Sequence, residues 1–436
     1  MLALILPTAA EAVTLHRDSL PNGLVVLTYP DHRLPMADIA LVCRSGATFD
    51  PPGRAGTATL TAYLLARGTP DMSGDSVSTV IEYIGGKFEG EADHDRCVLR
   101  LRVLTRDIPL GLRLLADGTR RPSFDSREFT IARDQFLTNA RRRYDYPQAV
   151  VSTELERLLF AGHPYAFPAR GDTGTLPSIR REDIVEFHRT HFVPNNCFLV
   201  AVGDIEHAAF METIRVYFGD WQPSPVPPLD VPEVAWPETT TIKIITRFDM
   251  NQTYVQFGHP GISVNDTDLL ATRLMSYILG GSPLSSRLGL SVREEGGLAY
   301  DVRCWFDRRQ LSGGFHATVQ TSNPRLALEK MFEEVRRMHQ GSISTAELTK
   351  AINYFTGSFP LTYSSNQGKL RQLINQELFR FGEDWLDRFP DDVRAITLEQ
   401  VNRAARQRLR PDRYYVVIMG PLRPEDIQFP GCKLIQ

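Results

Sequence analysis

Residues 222–238 read QPSPVPPLDVPEVAWPE, six prolines in seventeen positions. Proline locks φ and donates no amide hydrogen, so this density excludes a helix interior or a central strand and reads as a semi-rigid connector. The connector divides the chain into residues 13–221 and residues 239–436. Toward the N-terminus, the apolar runs at 24–29 (Leu24, Val25, Val26, Leu27) and at Ala37 to Cys43 predict strands. A helix is expected near 54–66, closed by Arg67-Gly68, the cation-then-glycine ending of a helix C-terminus. Strands follow near 86–91 and 96–103, with helical patterns at 74–84, 107–118, 125–144, 149–160 and 180–191 and a strand at 197–202. Beyond the connector the order recurs: strands at 241–246 and 252–258, a helix at 264–279, a glycine-containing loop, then strands near 298–306 and 311–320. The expected fold class is α+β, two homologous α/β units in one chain, each a mostly antiparallel sheet with helices packed on one face. The parallel lies in the order of elements, with little identity between the halves.

At 436 residues the chain exceeds the usual domain length of about 100 to 200, which fits two units that each bury a core. A hydrophobic fraction of 42% with 23% charged residues excludes a disordered or fibrous protein. Lys+Arg 49 against Asp+Glu 52 leaves a formal charge of -3, so neither nucleic acid nor an anionic lipid surface is expected as a partner. The five cysteines (Cys43, Cys97, Cys197, Cys304, Cys432) form no C-x-x-C pair and read as buried free thiols. After residue 12 no apolar run approaches the roughly 18 residues of a spanning helix. Residues 1–12, MLALILPTAAEA, end in an A-x-A pattern and read as a truncated secretory signal lacking its basic start, which implies a periplasmic or secreted protein. Read as an ordinary N-terminus, the same residues leave the chain cytoplasmic.

Three ordered segments carry a resemblance: LPNGLVVLTYPDHRLPMADIALVCRSGATFDPPGRAGTATLTAYLLARGT (20–69), GHPYAFPARGDTGTLPSIRREDIVEFHRTHFVPNNCFLVAVGDI (162–205) and ILGGSPLSSRLGLSVREEGGLAYDV (278–302). Together they resemble the pitrilysin/insulinase family of zinc metallopeptidases over nearly the whole chain. These are inverzincins, in which the two histidines of H-x-x-E-H share one helix face to bind zinc and the glutamate acts as general base. Aligned through Gly68-Thr69, those three positions fall on Thr59, Ala62 and Tyr63, and the later glutamate ligand falls on Asn139. A zinc catalyst needs three protein ligands and an open position, so no metal is expected in this chain.

Other candidate ligand pairs are weak. His188 and His191, near Glu182, Asp183 and Glu186, stand three apart at a helix end, where packing or capping is the commoner use. His94 and Cys97 are an odd step apart, which on a strand sends them to opposite faces. More telling are Arg293 and Tyr300, seven residues apart. On composition alone they read as a surface helix charge and a strand residue half-buried in its sheet. In the resembling family an arginine and a tyrosine at this spacing reach the zinc site from another domain and hydrogen-bond the scissile carbonyl, where a guanidinium and a phenol stabilise the developing oxyanion. Gly280 and Gly281, with the small Ser282, Ser285 and Ser286, match a loop that helps admit substrate in that family. The strand after Gly85-Gly86 matches an edge that pairs with peptide there, but Glu89 and Gly90 depart from the pattern, which weighs against such pairing here.

The resemblance therefore implies a non-catalytic subunit, inactive alone, of a heterodimeric metallopeptidase. A homologous partner would carry H-x-x-E-H and the zinc, and this chain would supply Arg293 and Tyr300 in trans to an unfolded peptide. The alternative is a structural or peptide-binding scaffold subunit with no role in hydrolysis.

Overall fold

The computed structural model describes residues 15–427, 429 and 431–435, so the reading of residues 1–12 as a leader lies outside the described residues. The first half runs β1 (His16–Ser19), β2 (Val25–Pro30), β3 (Met36–Cys43), α1 (Thr57–Leu65), β4 (Gly68–Thr69), β5 (Met72–Ser73), α2 (Gly74–Tyr83), β6 (Lys87–Ala92), β7 (Cys97–Leu104), α3 (Ile108–Arg120), α4 (Ser126–Arg143), α5 (Pro147–Leu159), α6 (Arg181–His191), β8 (Cys197–Gly203) and α7 (His207–Phe218). The second runs β9 (Thr241–Thr246), β10 (Thr253–Pro260), α8 (Leu269–Ser276), β11 (Ala299–Phe306), β12 (Gly314–Thr321), α9 (Pro324–His339), α10 (Thr345–Thr362), α11 (Asn366–Phe379), α12 (Trp385–Arg394), α13 (Leu398–Arg408), β13 (Tyr415–Gly420) and β14 (Lys433–Ile435). No helix or strand is formed between residues 219 and 240, where the prolines concentrate.

Two six-stranded sheets result, in the orders β1-β2-β8-β3-β7-β6 and β11-β12-β10-β13-β9-β14. Read from opposite ends they are one topology. In each half the first long strand runs parallel to the last, β2 with β8 and β9 with β13. The second strand lies antiparallel between that last strand and the hairpin partner, β3 between β8 and β7 and β10 between β13 and β12. Only the outermost strand differs: β1 joins β2 antiparallel, whereas β14 joins β9 parallel. The recurrence of element order in the sequence is thus a recurrence of topology.

One face of the first sheet is covered by helices of its own half, through Leu60 and Leu64 of α1, Leu112 and Leu115 of α3, Ile184 of α6 and Ile214 of α7. In the second sheet Met275 of α8, Val335 of α9 and Val401 of α13 do the same. The opposite faces are covered by exchange. Leu370, Leu373, Ile374 and Leu378, one stripe of α11, lie on Leu27, Ala40, Val42, Phe198 and Val200 of the first sheet. Val151, Leu155 and Leu159, spaced by fours on α5, lie in turn against Val417 and Met419 of the second. Each such side chain contributes about 1.5–3 kcal/mol when fully buried, so neither sheet is complete without the other half. This exchange explains why β3 and β8 read as continuous apolar runs: strands covered on both faces have no solvent side on which to alternate.

Polar ties cross the same boundary. Arg44 donates to the Glu377 carboxylate at 2.6 Å, Arg17 reaches it at 3.1 Å, and the buried Lys369 ammonium pairs with buried Asp31. The helix expected from residue 264 begins only at Leu269, because Asp266 turns back to accept the Asp268 amide at 2.9 Å, an Asx turn that competes with helix. Among the described residues no helix is long and apolar enough to cross a membrane.

Candidate functional site

Helix α1 enters its fold under strict local control. Gly56 takes φ +108°, open to glycine, and the Asp50 carboxyl accepts the Gly56 and Ala58 amides at 2.7 Å each, capping the first turn from outside the helix. Burial pushes the Asp50 pKa up to about 8 against the pull of those amides. The helix then lies directly on β6. A Cβ built at Gly90 would stand 1.7 Å from the Ala62 carbonyl oxygen, so only glycine allows this approach. That contact is the physical reason for the glycine that departs from the resembling family's pattern. Helix α4 is capped by Asp125, which accepts the Arg127 and Glu128 amides, and it ends in Arg141, Arg142 and Arg143, cations that favour the negative end of a helix dipole.

Between α1, α4 and the edge strand β6 opens a cavity of about 620 Å³. Thr59, Tyr63 and Asn139 line it together, although eighty residues of sequence separate Thr59 from Asn139. The residues do not fit a zinc ion. The Thr59 hydroxyl donates to the Ala169 carbonyl at 2.6 Å and is neutral. Tyr63 packs edge-on against Phe136 at 5.6 Å, beneath the Arg67 guanidinium, and its hydroxyl lies 3.5 Å from the Gln135 amide oxygen. Ala62 is fully buried and offers no base. Arg142, Arg143 and Arg170 also line the wall, and since its carboxylate, Glu91, is already paired with Arg100 at 2.7 Å, three cations disfavour a dication further.

Arg293 and Tyr300 are brought together elsewhere. Arg293 sits in a π-helical turn, Gly289–Glu294, with its guanidinium 5.4 Å from the centre of the Tyr300 ring, and among the described residues its one ion pair is to neighbouring Glu294 at 3.5 Å. Tyr300 stands near the start of β11, the outermost strand of the second sheet, and is 86% exposed. The half-buried strand position expected from composition is therefore corrected: the phenol faces solvent. Neither residue lines the α1–α4 cavity.

The Gly280-Gly281 loop has a packing purpose. A Cβ at Gly280 would meet the Cys304 amide nitrogen at 2.6 Å, and one at Gly281 would meet the Tyr277 ring at 2.7 Å, so the pair lets a π-helical turn, Tyr277–Gly281, rest on β11. Ser285 donates to Ser282 at 2.9 Å and Ser286 to the Ser282 carbonyl, which ties the turn to itself.

The remaining candidates resolve into structure. His188 reaches the Thr119 carbonyl at 2.7 Å and lies between Phe124 and Phe192, whereas His191 packs on Phe49 and Phe187. Burial lowers both pKa values, His191 to about 4. His94 bonds the Phe167 carbonyl at 2.9 Å and Cys97 faces the Ala58 carbonyl, so these two share no ligand. All five cysteines are free, four of them buried. Glu156, Asp307 and His316 do converge, in a group that sequence reasoning missed, but Arg309 supplies their cation, bonding Glu156 at 2.8 and 3.0 Å and Asp307 at 3.1 Å.

Comparison with known proteins agrees with this architecture. The profile of the insulinase family (peptidase family M16) matches residues 25–173, and that of the peptidase M16 inactive domain matches residues 178–355. The uncharacterized zinc protease YmxG of Bacillus subtilis is 22% identical over 92% of this chain and 97% of its own length. A peptidase M16 inactive domain from Pseudomonas fluorescens superposes with a TM-score of 0.87 at 25% identity, covering 94% of this chain and 98% of that one. A protease from Helicobacter pylori shares the fold, with a TM-score of 0.85 at 17% identity over 94% of this chain and 100% of that one. With both halves matched in order and the duplicated topology shared end to end, the chain belongs to the insulinase family of peptidases, M16.

Proposed function

We propose that this chain is the non-catalytic subunit of a two-chain zinc peptidase, supplying Arg293 and Tyr300 to a peptide held in the active site of a homologous partner. Two observations support this reading: an exposed phenol is paired with a guanidinium at the rim of the second sheet, and in the first half the α1–α4 cavity has donors that cannot hold a metal. The relatives are named zinc proteases, and the hydrolytic metal would come from a partner with an intact motif. This chain's part is electrostatic. Attack on a peptide carbonyl gathers negative charge on its oxygen, and a guanidinium and a phenol held in advance stabilise that charge without reorganising. The Arg293–Tyr300 contact brings both groups to one place, and among the described residues β11 pairs with β12 alone, leaving an outer edge to which an extended chain can add.

Association is the direct test. Mixing this chain with a homologue that carries H-x-x-E-H should give a heterodimer near twice 49.2 kDa, burying at least about 1,200 Å². Peptide cleavage should require both chains. A homologue that cleaves equally well without this chain would contradict the proposal and favour the scaffold role.

A further inference from the structure

The three arginines of the α1–α4 cavity are unusual in what they lack. Arg142 and Arg143 end α4, and Arg170 comes from the loop after α5, so three cations from two segments face one space. Among the described residues none of their side chains makes a hydrogen bond or an ion pair. The acids nearby are already engaged. Glu91, the one carboxylate on the cavity wall, pairs with Arg100 at 2.7 Å. Asp172, behind Arg143, takes the Arg157 guanidinium at 2.9 Å and the amides of Gly174 and Thr175. Burial lowers the Arg143 pKa, and although Asp172 opposes this, Arg170 and Arg157 press in the same direction as burial. Arg143 is half-buried and Arg142 and Arg170 are exposed, so the three unpaired guanidinium groups face one concave space open to an acceptor from outside.

Shape and neighbours indicate what that acceptor is. Gly90 and Glu91 of β6, an outermost strand among the described residues, share the cavity wall with the arginines, so a peptide lying at that edge would be next to them through its side chains, without the backbone pairing that Glu89 and Gly90 disfavour. Tyr63 and Tyr146 add aromatic walls suited to the aliphatic stem of a long side chain. We infer that the cavity, in place of a metal, binds the side-chain carboxylates of an acidic peptide segment through Arg142, Arg143 and Arg170. An arginine fork matches a carboxylate in two parallel hydrogen bonds, which a glutamine side chain cannot reproduce with charge. The cavity would thus hold acidic stretches of substrate while hydrolysis occurs on another chain.

The inference rests on the metal-free reading of the cavity, and its test separates the two. Fluorescence-labelled decapeptides with three central Glu residues, or with Gln or Lys in their place, are titrated into the full chain alone. The Glu peptide should bind at least about tenfold tighter than the Gln peptide, and raising salt from about 0.05 to 0.5 M should erode that preference, because charge attraction is screened. Arg143→Gln with Arg170→Gln should abolish the preference. Arg170→Gln alone, at an exposed position, should reduce it severalfold with the melting temperature unchanged. Equal binding of Glu and Gln peptides, or an unchanged preference in the double variant, would overturn the inference. Inorganic phosphate that raises the melting temperature of the wild type but not of the variant, without Glu-peptide binding, would also overturn it, leaving a small-anion site. Stoichiometric zinc in the same preparation would overturn the metal-free reading instead, whatever the peptides do.

Discussion

Arg293→Ala or Tyr300→Phe should each lower the kcat of the two-chain peptidase by about 10²- to 10³-fold while heterodimer formation and partner metal content stay as they are. The expectation follows from where the groups stand. Tyr300 is 86% exposed, and among the described residues Arg293 pairs with no carboxylate beyond its sequence neighbour, so neither side chain is expected to hold the fold together. Their interaction with a carbonyl oxygen strengthens as charge develops, so the loss falls on kcat more than on KM. Because both serve one oxygen, the double variant should lose less than the product of the single losses. Activity within about twofold of wild type in both single variants would leave the scaffold role standing.

Arg309→Ala should destabilise the chain by about 3–5 kcal/mol, the usual cost of leaving buried charge without its partner. Arg309 comes from the β11–β12 loop of the second half and forks onto Glu156 of α5 from the first, while its guanidinium lies 5.0 Å from the ring centres of both Phe160 and Tyr165. Around it the carboxylates are shared. His316 donates to Asp307 at 2.8 Å, and burial opposes charge on the imidazole, but Asp307 and Glu156 outweigh burial and raise its pKa. Next to this network Tyr165 donates to Asp95, which also accepts the Gln310 amide at 3.0 Å, so two loops of different halves are closed by one buried acid. Removing the guanidinium leaves Glu156 and Asp307 at the seam between halves with the His316 imidazole as their remaining partner. Adding Glu156→Gln and Asp307→Asn to Arg309→Ala should recover much of the loss, since the uncompensated charges go with them. Urea midpoints decide the matter, and a loss below about 1 kcal/mol would class the network with surface pairs.

What the sequence allowed, and what it withheld, follows from the range of each interaction. The central strands were readable because Val, Ile and Leu runs at 37–43 and 197–202 carry their burial in composition. The exchange of α5 and α11 was not, since an apolar stripe at Val151, Leu155 and Leu159 looks the same whichever sheet receives it. Nothing was read for β1, α7 or the elements from α9 to β14. The meeting of Thr59 and Tyr63 with Asn139 came from the family resemblance alone, because residues of these types carry no metal signal themselves. The arginines of the same cavity were missed for a related reason: ARRR at the end of a helix is what the helix dipole favours anyway, so its second use leaves no mark in the sequence. Gly280 and Gly90 show in the sequence only as a loop residue and a departure from pattern, whereas in the fold both are places where backbone meets backbone.

The claim on which the rest depends is that this chain carries no zinc. Elemental analysis of the purified chain after exposure to equimolar zinc and removal of the excess should find well below about 0.1 zinc per chain, because a zinc site needs three protein ligands. Thr59→His with Tyr63→His and Asn139→Glu places two imidazoles and a carboxylate around the same cavity, and that variant should retain about one. About one zinc in the unaltered chain, with cleavage that a chelator abolishes, would contradict the account.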